Sequence, residues 1–390
     1  MIEGHGDDIY KYDSVRMNFS SNIYGHADLS ALKEHLKAHI DSIGSYPEPQ
    51  PYTLQNVLAA AHDVSPECVL VTNGATEAIY LIAQAFRNGV WREEMPPRYF
   101  VRTPTFSEYE DAMRSFSYRE APSNLSPLGE ASDLLEKELR EAPFNLPPLR
   151  EASNLLEKEL VVGVEVSLPF PKSDSEVLAW MCNPNNPTGE VVPQKEIDTM
   201  CQQEGTLLVI DQSYEDYTQS QLLTAQEAVK RGNVILIHSM TKTYAIPGLR
   251  IGYVMAAPEI IRRISDCQHP WSVNALAIEA ALFLLKEQMH VIPDLNVYLD
   301  ETEQLRLQLN QIDGITAFPT KTNFFLCETH VGTAAQLKAY LVEKHGILIR
   351  DASNFKGLSE RHFRVATQSP TENRALVKGI EDYISNSEYE

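Results

Sequence analysis

Short apolar runs that alternate with helical patterns constrain the fold of this chain more than any other feature of its sequence. Each run has about the length of a buried strand, β-branched residues recur in the runs, and helix-like segments such as 76–86 and 194–204 lie between them. This alternation is typical of an α/β fold, in which helices cover both faces of a mostly parallel sheet. The predicted strands are 69–71, 99–102, 178–181, 207–210, 234–237 and 251–255.

The pattern changes near residue 275, where long helical segments begin to enclose short strands. We therefore predict an N-terminal arm that belongs partly to the small domain (1–44), a large domain (45–272) and a small α+β domain (273–390). A tandem copy of a 21-residue segment interrupts the large domain at 119–160. Two copies are too few for a solenoid, so we expect a surface insertion with at least one mobile copy, or alternatively a partner-binding arm.

Composition and charge exclude several classes of partner. The chain has 54 acidic and 33 basic residues, a formal net charge of -21. A surface this negative repels nucleic acid and anionic membranes, so we expect neither as a partner. The five scattered cysteines lack the spacing of a disulfide framework or a zinc site, which predicts no metal centre and a reducing, cytoplasmic environment. No signal peptide and no membrane-spanning run is expected either.

Polar residues of different kinds follow four of the predicted strands. In an open α/β sheet, ligands bind beyond the carboxyl ends of the strands, so we expect these residues to converge on one edge of the sheet. An amide, a carboxylate, a phenol, a hydroxyl and a lysine in one crevice are hard to explain by packing alone. The segments concerned are 72–76, 182–189, 211–214 and 238–242.

Three of these segments carry a family resemblance. Residues 239–252 resemble the pyridoxal-phosphate (PLP) attachment signature of class I and II aminotransferases, and read S-M-T-K-T-Y-A-I-P-G-L-R-I-G. Residues 183–189 resemble the N-P-x-N-P-T-G element of that family, and residues 211–214 resemble its D-x-x-Y element, in the same order and spacing. The resemblance covers nearly the whole chain except the duplicated stretch, and it implies the fold type I architecture of PLP-dependent transferases.

The resemblance implies a role for each conspicuous polar residue. Lys242 would carry the cofactor, and Asp211 would keep the pyridine nitrogen protonated. A free lysine amine has a pKa of about 10.4, so burial and nearby positive charge are needed to favour its neutral form. Tyr214 and Asn186 would hydrogen-bond the phenolic oxygen of the cofactor, and Phe106 would stack on its ring.

The cofactor phosphate needs positive charge and N–H donors, which a helix N-terminus provides. Tyr46 matches a tyrosine that reaches this phosphate from the neighbouring subunit, so the resemblance also implies a homodimer with shared sites. The phosphate ligands within the subunit would be Gly74, Ala75, Thr76, Ser239 and Arg250.

On the substrate side, Arg364 resembles the family arginine that pairs with an α-carboxylate, a task that suits guanidinium geometry. Arg350 suggests a second anionic group such as a phosphate. Asn22 is a further candidate ligand, and His5 is either another or an ordinary exposed histidine. The elements at 350–358, 4–6 and 18–22 resemble threonine-phosphate decarboxylases of cobamide synthesis most. Residues 46–50 resemble histidinol-phosphate aminotransferases equally well.

The same residues serve decarboxylation and transamination, because the seating of the substrate decides which bond breaks. We expect a decarboxylase acting on a small phosphorylated α-amino acid, with an aminotransferase of the histidinol-phosphate type as the alternative. A non-catalytic protein of the same fold is a second alternative, which the presence of both Lys242 and Asp211 disfavours. A nucleotide-binding protein is also disfavoured, because neither of the glycine-rich phosphate-binding motifs of such proteins occurs.

Overall fold

The computed structural model describes residues 7–91, 98–121 and 176–387. The chain divides into two units, one of residues 1–120 with 174–390 and one of residues 121–173. Apart from Ala121, the second unit lies outside the described residues, and so does most of the tandem copy at 119–160 with its expected mobile segment. The described helices and strands all lie in the first unit.

The apolar runs of the sequence form the strands of the fold. Two of them, Val177–Cys182 and Thr206–Asp211, are buried along their whole length, as expected for central strands covered on both faces. The strands are β1 (Met17–Asn18), β2 (Val69–Thr72), β3 (Arg98–Val101), β4 (Arg119–Glu120), β5 (Val177–Cys182), β6 (Thr206–Asp211), β7 (Val234–His238), β8 (Gly252–Met255), β9 (Ile315–Ala317), β10 (Phe324–Thr329), β11 (Ile347–Leu348), β12 (Arg350–Asp351) and β13 (His362–Ala366).

Helices connect most of these strands, and local chemistry sets several of their ends. The helix Ala225–Arg231, for example, begins with a capping box between Thr224 and Glu227 and ends at Gly232, whose φ is 73°. The α-helices are α1 (Ser30–Ala38), α2 (Tyr52–Ala61), α3 (Gly74–Phe86), α4 (Glu108–Ser115), α5 (Gln194–Cys201), α6 (Ala225–Arg231), α7 (Met240–Thr243), α8 (Pro258–Ser265), α9 (Ala275–Lys286), α10 (Leu295–Leu309), α11 (Ala334–Tyr340) and α12 (Pro370–Ser387). None of the helices in the described ranges combines the length and apolar character needed to cross a bilayer.

The large sheet has the strand order β2-β8-β7-β6-β5-β3-β4. Strand β8 runs antiparallel to both of its neighbours, and the other pairs are parallel. The largest hydrophobic cluster packs α3, α4 and α8 on this sheet, with Ile79, Met113 and Ile260 among its buried members. This architecture confirms the predicted α/β fold with a mostly parallel sheet.

A four-stranded antiparallel sheet with the order β12-β13-β10-β9 lies in the C-terminal part of the chain. Strand β1 pairs in parallel with β11, and the backbone of Phe19 bonds both Leu348 and Ala366. Phe19 is fully buried in the second hydrophobic cluster, together with Phe363 and Leu376. The N-terminal residues are thus part of the C-terminal packing, and the domain boundaries after residues 44 and 272 stay predictions.

Candidate active site

Residues from several strand ends meet at one edge of the large sheet. Asn186 follows β5, Asp211 ends β6, and Lys242 lies on α7 directly after β7. Gly74 opens α3 after β2, which runs in the same direction as β7 because both are antiparallel to β8. Since β8 begins where its neighbours end, Arg250, which precedes β8, also belongs to this edge.

Asp211 is a buried carboxylate held by three donors. The hydroxyl of Tyr109 donates to Oδ2 at 2.8 Å, while the backbone N–H and the hydroxyl of Ser213 donate to Oδ1 at 2.9 and 2.5 Å. Burial raises the pKa of Asp211, and these hydrogen bonds oppose that rise. Within the described part of the chain, no lysine or arginine pairs with Asp211, so the site has a place for a cationic hydrogen-bond donor.

Lys242 retains some contact with solvent, but protein atoms surround it closely. This burial lowers the pKa of its amine from 10.5 to about 8, and the positive charges of Arg364 and Arg250 act in the same direction. The charges of Asp7 and Asp211 partly oppose the shift. A lysine amine in these surroundings exchanges a proton near neutral pH and is suited to act as a nucleophile.

The N-terminus of α3 forms a cradle with Arg250. A Cβ atom placed on Gly74, whose φ is 80°, would lie 2.7 Å from the Arg250 guanidinium, and one placed on Gly252 would lie 3.0 Å from the backbone nitrogen of Ala75. Arg250 itself adopts a φ of 59°, which a non-glycine residue seldom does. Backbone N–H groups and a guanidinium therefore meet where the helix dipole favours an anion.

Arg364 lies buried on β13 beside the same edge. Its terminal nitrogens donate to the side-chain oxygen of Asn186 and, at 2.5 Å, to the backbone carbonyl of Ser20. Its Nε is a buried donor that has no partner among the residues that the structure describes. Burial lowers the pKa of Arg364 to about 10, and the charge of Arg350 adds to the effect.

Asn22 joins the N-terminal segment to Tyr214. Its amide nitrogen donates to the Tyr214 hydroxyl at 3.2 Å, and its own buried Oδ1 has no partner in the described part of the chain. Burial raises the pKa of Tyr214, which packs edge-on against Phe324 with ring centroids 4.8 Å apart. Within the described ranges, Asn22 and Arg364 thus each leave a buried polar atom without a partner at this site.

Arg350 and Arg364 are directly opposed across the antiparallel pair β12–β13. Residues in this relation point to the same face of a sheet. Arg350 donates to the side chain of Asn354 at 2.7 Å, and burial lowers its pKa. A second buried cation therefore lies next to Arg364.

The remaining predicted residues take different positions. Phe106 is half-buried and packs edge-on against Tyr109, with ring centroids 5.9 Å apart. The hydroxyl of Ser239 lies 2.7 Å from that of Thr241, and Ala75 and Thr76 form the first turn of α3. Tyr46 is 85% exposed and is not brought to this edge within the described chain. His5 lies outside the described residues.

Sequence reasoning missed three contacts of the site. Tyr109 and Ser213 hold Asp211, and the backbone carbonyl of Ser20 binds Arg364. Ser213 lies inside the motif that contains Asp211, so its position in the sequence could have indicated this contact. Tyr109 and Ser20 reach the site through packing between distant segments, and a motif search offers no signal for either.

The sequence of this chain is similar to those of known proteins. The sequence profile of the family described as Aminotransferase class I and II matches residues 169–380, more than half of the chain. A threonine-phosphate decarboxylase, described as putative, from Caldanaerobacter subterraneus subsp. tengcongensis is 28% identical over 384 residues, 96% of this chain and 92% of that protein. A histidinol-phosphate aminotransferase from the same organism is 27% identical over 343 residues, 88% of this chain and 85% of that protein.

A solved structure agrees with these similarities. The crystal structure of L-threonine-O-3-phosphate decarboxylase from Porphyromonas gingivalis has a TM-score of 0.77 to this chain and is 34% identical, covering 95% of this chain and 100% of that one. The fold is that of a PLP-dependent transferase of fold type I. The chain belongs to the class I and II aminotransferase family. It is an enzyme, and its cofactor is pyridoxal phosphate.

Proposed function

We propose that Lys242 is the residue that carries pyridoxal phosphate, and the observation that supports this is its position directly after β7, at the edge of the sheet where Asp211 ends β6 and Arg250 precedes β8. Asp211, a buried acceptor without a lysine or arginine partner in the described chain, suits a protonated ring nitrogen. Phe106 would stack on the ring. Asn186 and Tyr214 would serve its phenolic oxygen.

The phosphate of the cofactor suits the cradle at the start of α3. There, Gly74 gives the close approach to Arg250 that a Cβ atom would block, and the first N–H groups of the helix are available. The full set of proposed phosphate ligands is Gly74, Ala75, Thr76, Ser239, Arg250 and, from the neighbouring subunit, Tyr46.

The cofactor assignment is tested by borohydride reduction of the purified protein. Reduction should fix the cofactor irreversibly on the peptide that contains Lys242, which mass spectrometry of a digest would identify. A Lys242→Ala variant should bind the cofactor without covalent attachment. Attachment to a different lysine in the wild-type protein would contradict the assignment.

We propose that the substrate is an α-amino acid that carries a second anionic group. In the described chain, the buried Nε of Arg364 is a donor without a partner, as expected of a group that binds a substrate carboxylate. Arg350 would take the second anion, such as a phosphate, with Asn22 and the N-terminal segment that contains His5 completing the subsite. Two cations on one face of β12–β13 would bind the two ends of such a molecule.

The reaction we propose is decarboxylation of O-phosphothreonine or a close analogue, as in cobamide side-chain synthesis. Its support is the similarity to threonine-phosphate decarboxylases over 95% and 96% of the chain. Bound pyridoxal phosphate withdraws electrons from the α-carbon of an amino acid. Arg364 and Arg350 would orient the substrate so that the bond to the carboxylate breaks. Lys242, with a pKa of about 8, would return a proton to the carbon that loses carbon dioxide.

One incubation separates the two candidate reactions. With O-phospho-L-threonine, the purified enzyme should release carbon dioxide catalytically, and Lys242→Ala should abolish the release. An Arg350→Gln variant should raise KM for the phosphorylated substrate more than KM for threonine. Amine transfer to 2-oxoglutarate without gas release would instead favour transamination of the histidinol-phosphate type, which the 27% identity to such an aminotransferase keeps as the second candidate.

We also propose a homodimer with shared sites. Several large apolar side chains between residues 40 and 52 are exposed, and Trp271 packs against Tyr46 with ring centroids 5.3 Å apart. An exposed apolar patch of this kind marks an interaction surface. A cytoplasmic location belongs to the same proposal, and the five free cysteines support it. The exposed residues of the patch are Ile40, Ile43, Tyr46, Tyr52 and Trp271.

A further inference from the structure

Two histidines and a glutamate gather where α1 packs against α9, and none of them belongs to the candidate active site. The Nε2 of His35 lies 2.7 Å from Oε1 of Glu279, and the Nε2 of His39 lies 3.9 Å from the same oxygen. One side-chain atom from each residue falls within 4.8 Å of the other two. Since His35 and His39 are four positions apart on one helical turn, they face the same partner helix.

Local contacts hold both imidazole rings in place. The Nδ1 of His39 lies 2.8 Å from the backbone oxygen of His35. A carbonyl only accepts, so this bond places the ring proton on Nδ1 and leaves the Nε2 lone pair directed at the cluster. The ring of His35 stacks on Phe283 and on His39, with ring centroids 4.1 Å apart in each pair. A backbone hydrogen bond to the distal ring nitrogen is the usual support of a metal-binding histidine.

We propose that His35, His39 and Glu279 bind a divalent transition-metal ion of the zinc type. Imidazole nitrogens and a carboxylate oxygen are ligands that zinc accepts, and three protein ligands leave one position for water. Ligand atoms about 2 Å from a zinc ion are roughly 3–4 Å apart, so a separation within 4.8 Å closes with a small movement of the exposed His39 ring. The ion would link the N-terminal helix α1 to α9.

Cysteine spacing predicts no metal centre, but the ligands of this cluster are histidine and glutamate side chains. The two histidines are a short-range signal on one helix, but Glu279 comes from a segment much later in the chain. Only the packing of α1 on α9 brings the third ligand to them. This proposed metal site is separate from the active site, and the proposal does not depend on the decarboxylase function.

Cobalt(II) is the probe for this site, because its visible absorption reports coordination directly. The purified, cofactor-loaded chain should bind one equivalent of cobalt(II) saturably, and zinc should displace it. His39→Gln and Glu279→Gln each remove one ligand. Because loss of an outer-shell partner alone costs about 10–100-fold in affinity, each variant should weaken binding at least tenfold.

His26→Gln is the matched control. His26 also lies 2.5 Å from a glutamate oxygen, that of Glu372, but no second histidine joins that pair in the described chain. This variant should bind cobalt(II) as the wild type does. Zinc should raise the thermal midpoint of the wild type and of His26→Gln, but not that of His39→Gln. Absence of saturable cobalt(II) binding, or equal binding by wild type, His39→Gln and Glu279→Gln, would reduce the cluster to a hydrogen-bonded ion pair.

Discussion

Asp211 has three hydrogen-bond donors, and the phenol of Tyr109 supplies one of them from a different segment of the chain. A Tyr109→Phe variant removes this donor and keeps the ring. A hydrogen bond to a charged group contributes about 1.5–3 kcal/mol, so we expect the freed carboxylate to reorient and cofactor affinity to fall by about tenfold or more. Titration of the cofactor-free variant with pyridoxal phosphate measures this.

Tyr118→Phe is the control for that experiment, because its buried hydroxyl donates to the backbone oxygen of Ala83 at 2.9 Å instead of to Asp211. Both variants lose one buried hydrogen bond, and the bond of Tyr118 to a neutral carbonyl contributes the smaller amount, about 0.5–1.5 kcal/mol of stability. Cofactor affinity should change only in Tyr109→Phe. An equal loss of affinity in the two variants would show that Tyr109 acts through general packing.

Lys242 predicts a pH dependence of stability for the cofactor-free protein. Burial lowers its pKa from 10.5 to about 8 in the folded chain. Between these values the unfolded chain holds the proton and the folded chain does not, so this residue makes the free energy of unfolding rise with pH. Denaturant unfolding of wild type and Lys242→Met at several pH values isolates the effect. The difference between the two proteins should shift in favour of the wild type from about pH 8 to 10.5, and a flat difference would contradict the assigned pKa.

Motif residues were the part of the site that the sequence could predict. Lys242, Asp211 and Arg250 lie in segments whose order and spacing are specific, and the structure brings them to one edge. Tyr109 and the carbonyl of Ser20 were not predictable, because contacts between distant segments depend on packing. Every residue has a backbone carbonyl, so no sequence motif can indicate which one binds Arg364.

At the scale of elements, the buried strands were predicted to within one or two residues. A strand that is buried on both faces, such as β6, must be apolar along its whole length. The bounds of such a strand can therefore be read from its continuous apolar run. The antiparallel direction of β8 and the pairing of β1 with β11 were not predicted. The direction of a strand and the choice of its neighbour depend on long-range contacts, and the local hydrophobic pattern of the sequence does not determine them.

The pairing of β1 predicts that the N-terminal segment serves the substrate site. Phe19 is fully buried, and the next residue, Ser20, offers its carbonyl to Arg364. Phe19→Ala should cost about 3–5 kcal/mol of unfolding free energy and should also raise the substrate KM, because the carbonyl loses its anchor. Urea unfolding and steady-state kinetics measure the two effects.

Phe86→Ala separates these effects. Phe86 is equally buried, in the cluster beneath the large sheet at the far end of α3 from Gly74. Its loss should destabilise the protein by a similar amount and leave the substrate KM unchanged. If Phe19→Ala lowers stability without changing KM, the N-terminal segment supports the fold but does not position Arg364.

At the scale of the whole molecule, the chain carries an acidic surface and an apolar patch that its own fold leaves exposed. Tyr46 is 85% exposed and Ile43 is 66% exposed. The formal charge of -21 opposes association in general, so apolar side chains left exposed between residues 40 and 52 mark one specific surface. The sequence predicted a dimer only through the resemblance of Tyr46 to a family residue, since no local pattern distinguishes an interface from a core.

Shared sites predict complementation between two inactive variants. Lys242→Ala lacks the proposed cofactor lysine, and Tyr46→Ala lacks the proposed phosphate ligand. In a heterodimer of the two, one site combines Lys242 of the Tyr46→Ala subunit with Tyr46 of the Lys242→Ala subunit. That site is intact, so co-expressed and separately tagged heterodimers should recover about half of the wild-type rate of carbon dioxide release per dimer. If Tyr46 served its own subunit, the heterodimer would contain two defective sites and recover nothing, and a monomer in light scattering would likewise exclude sharing.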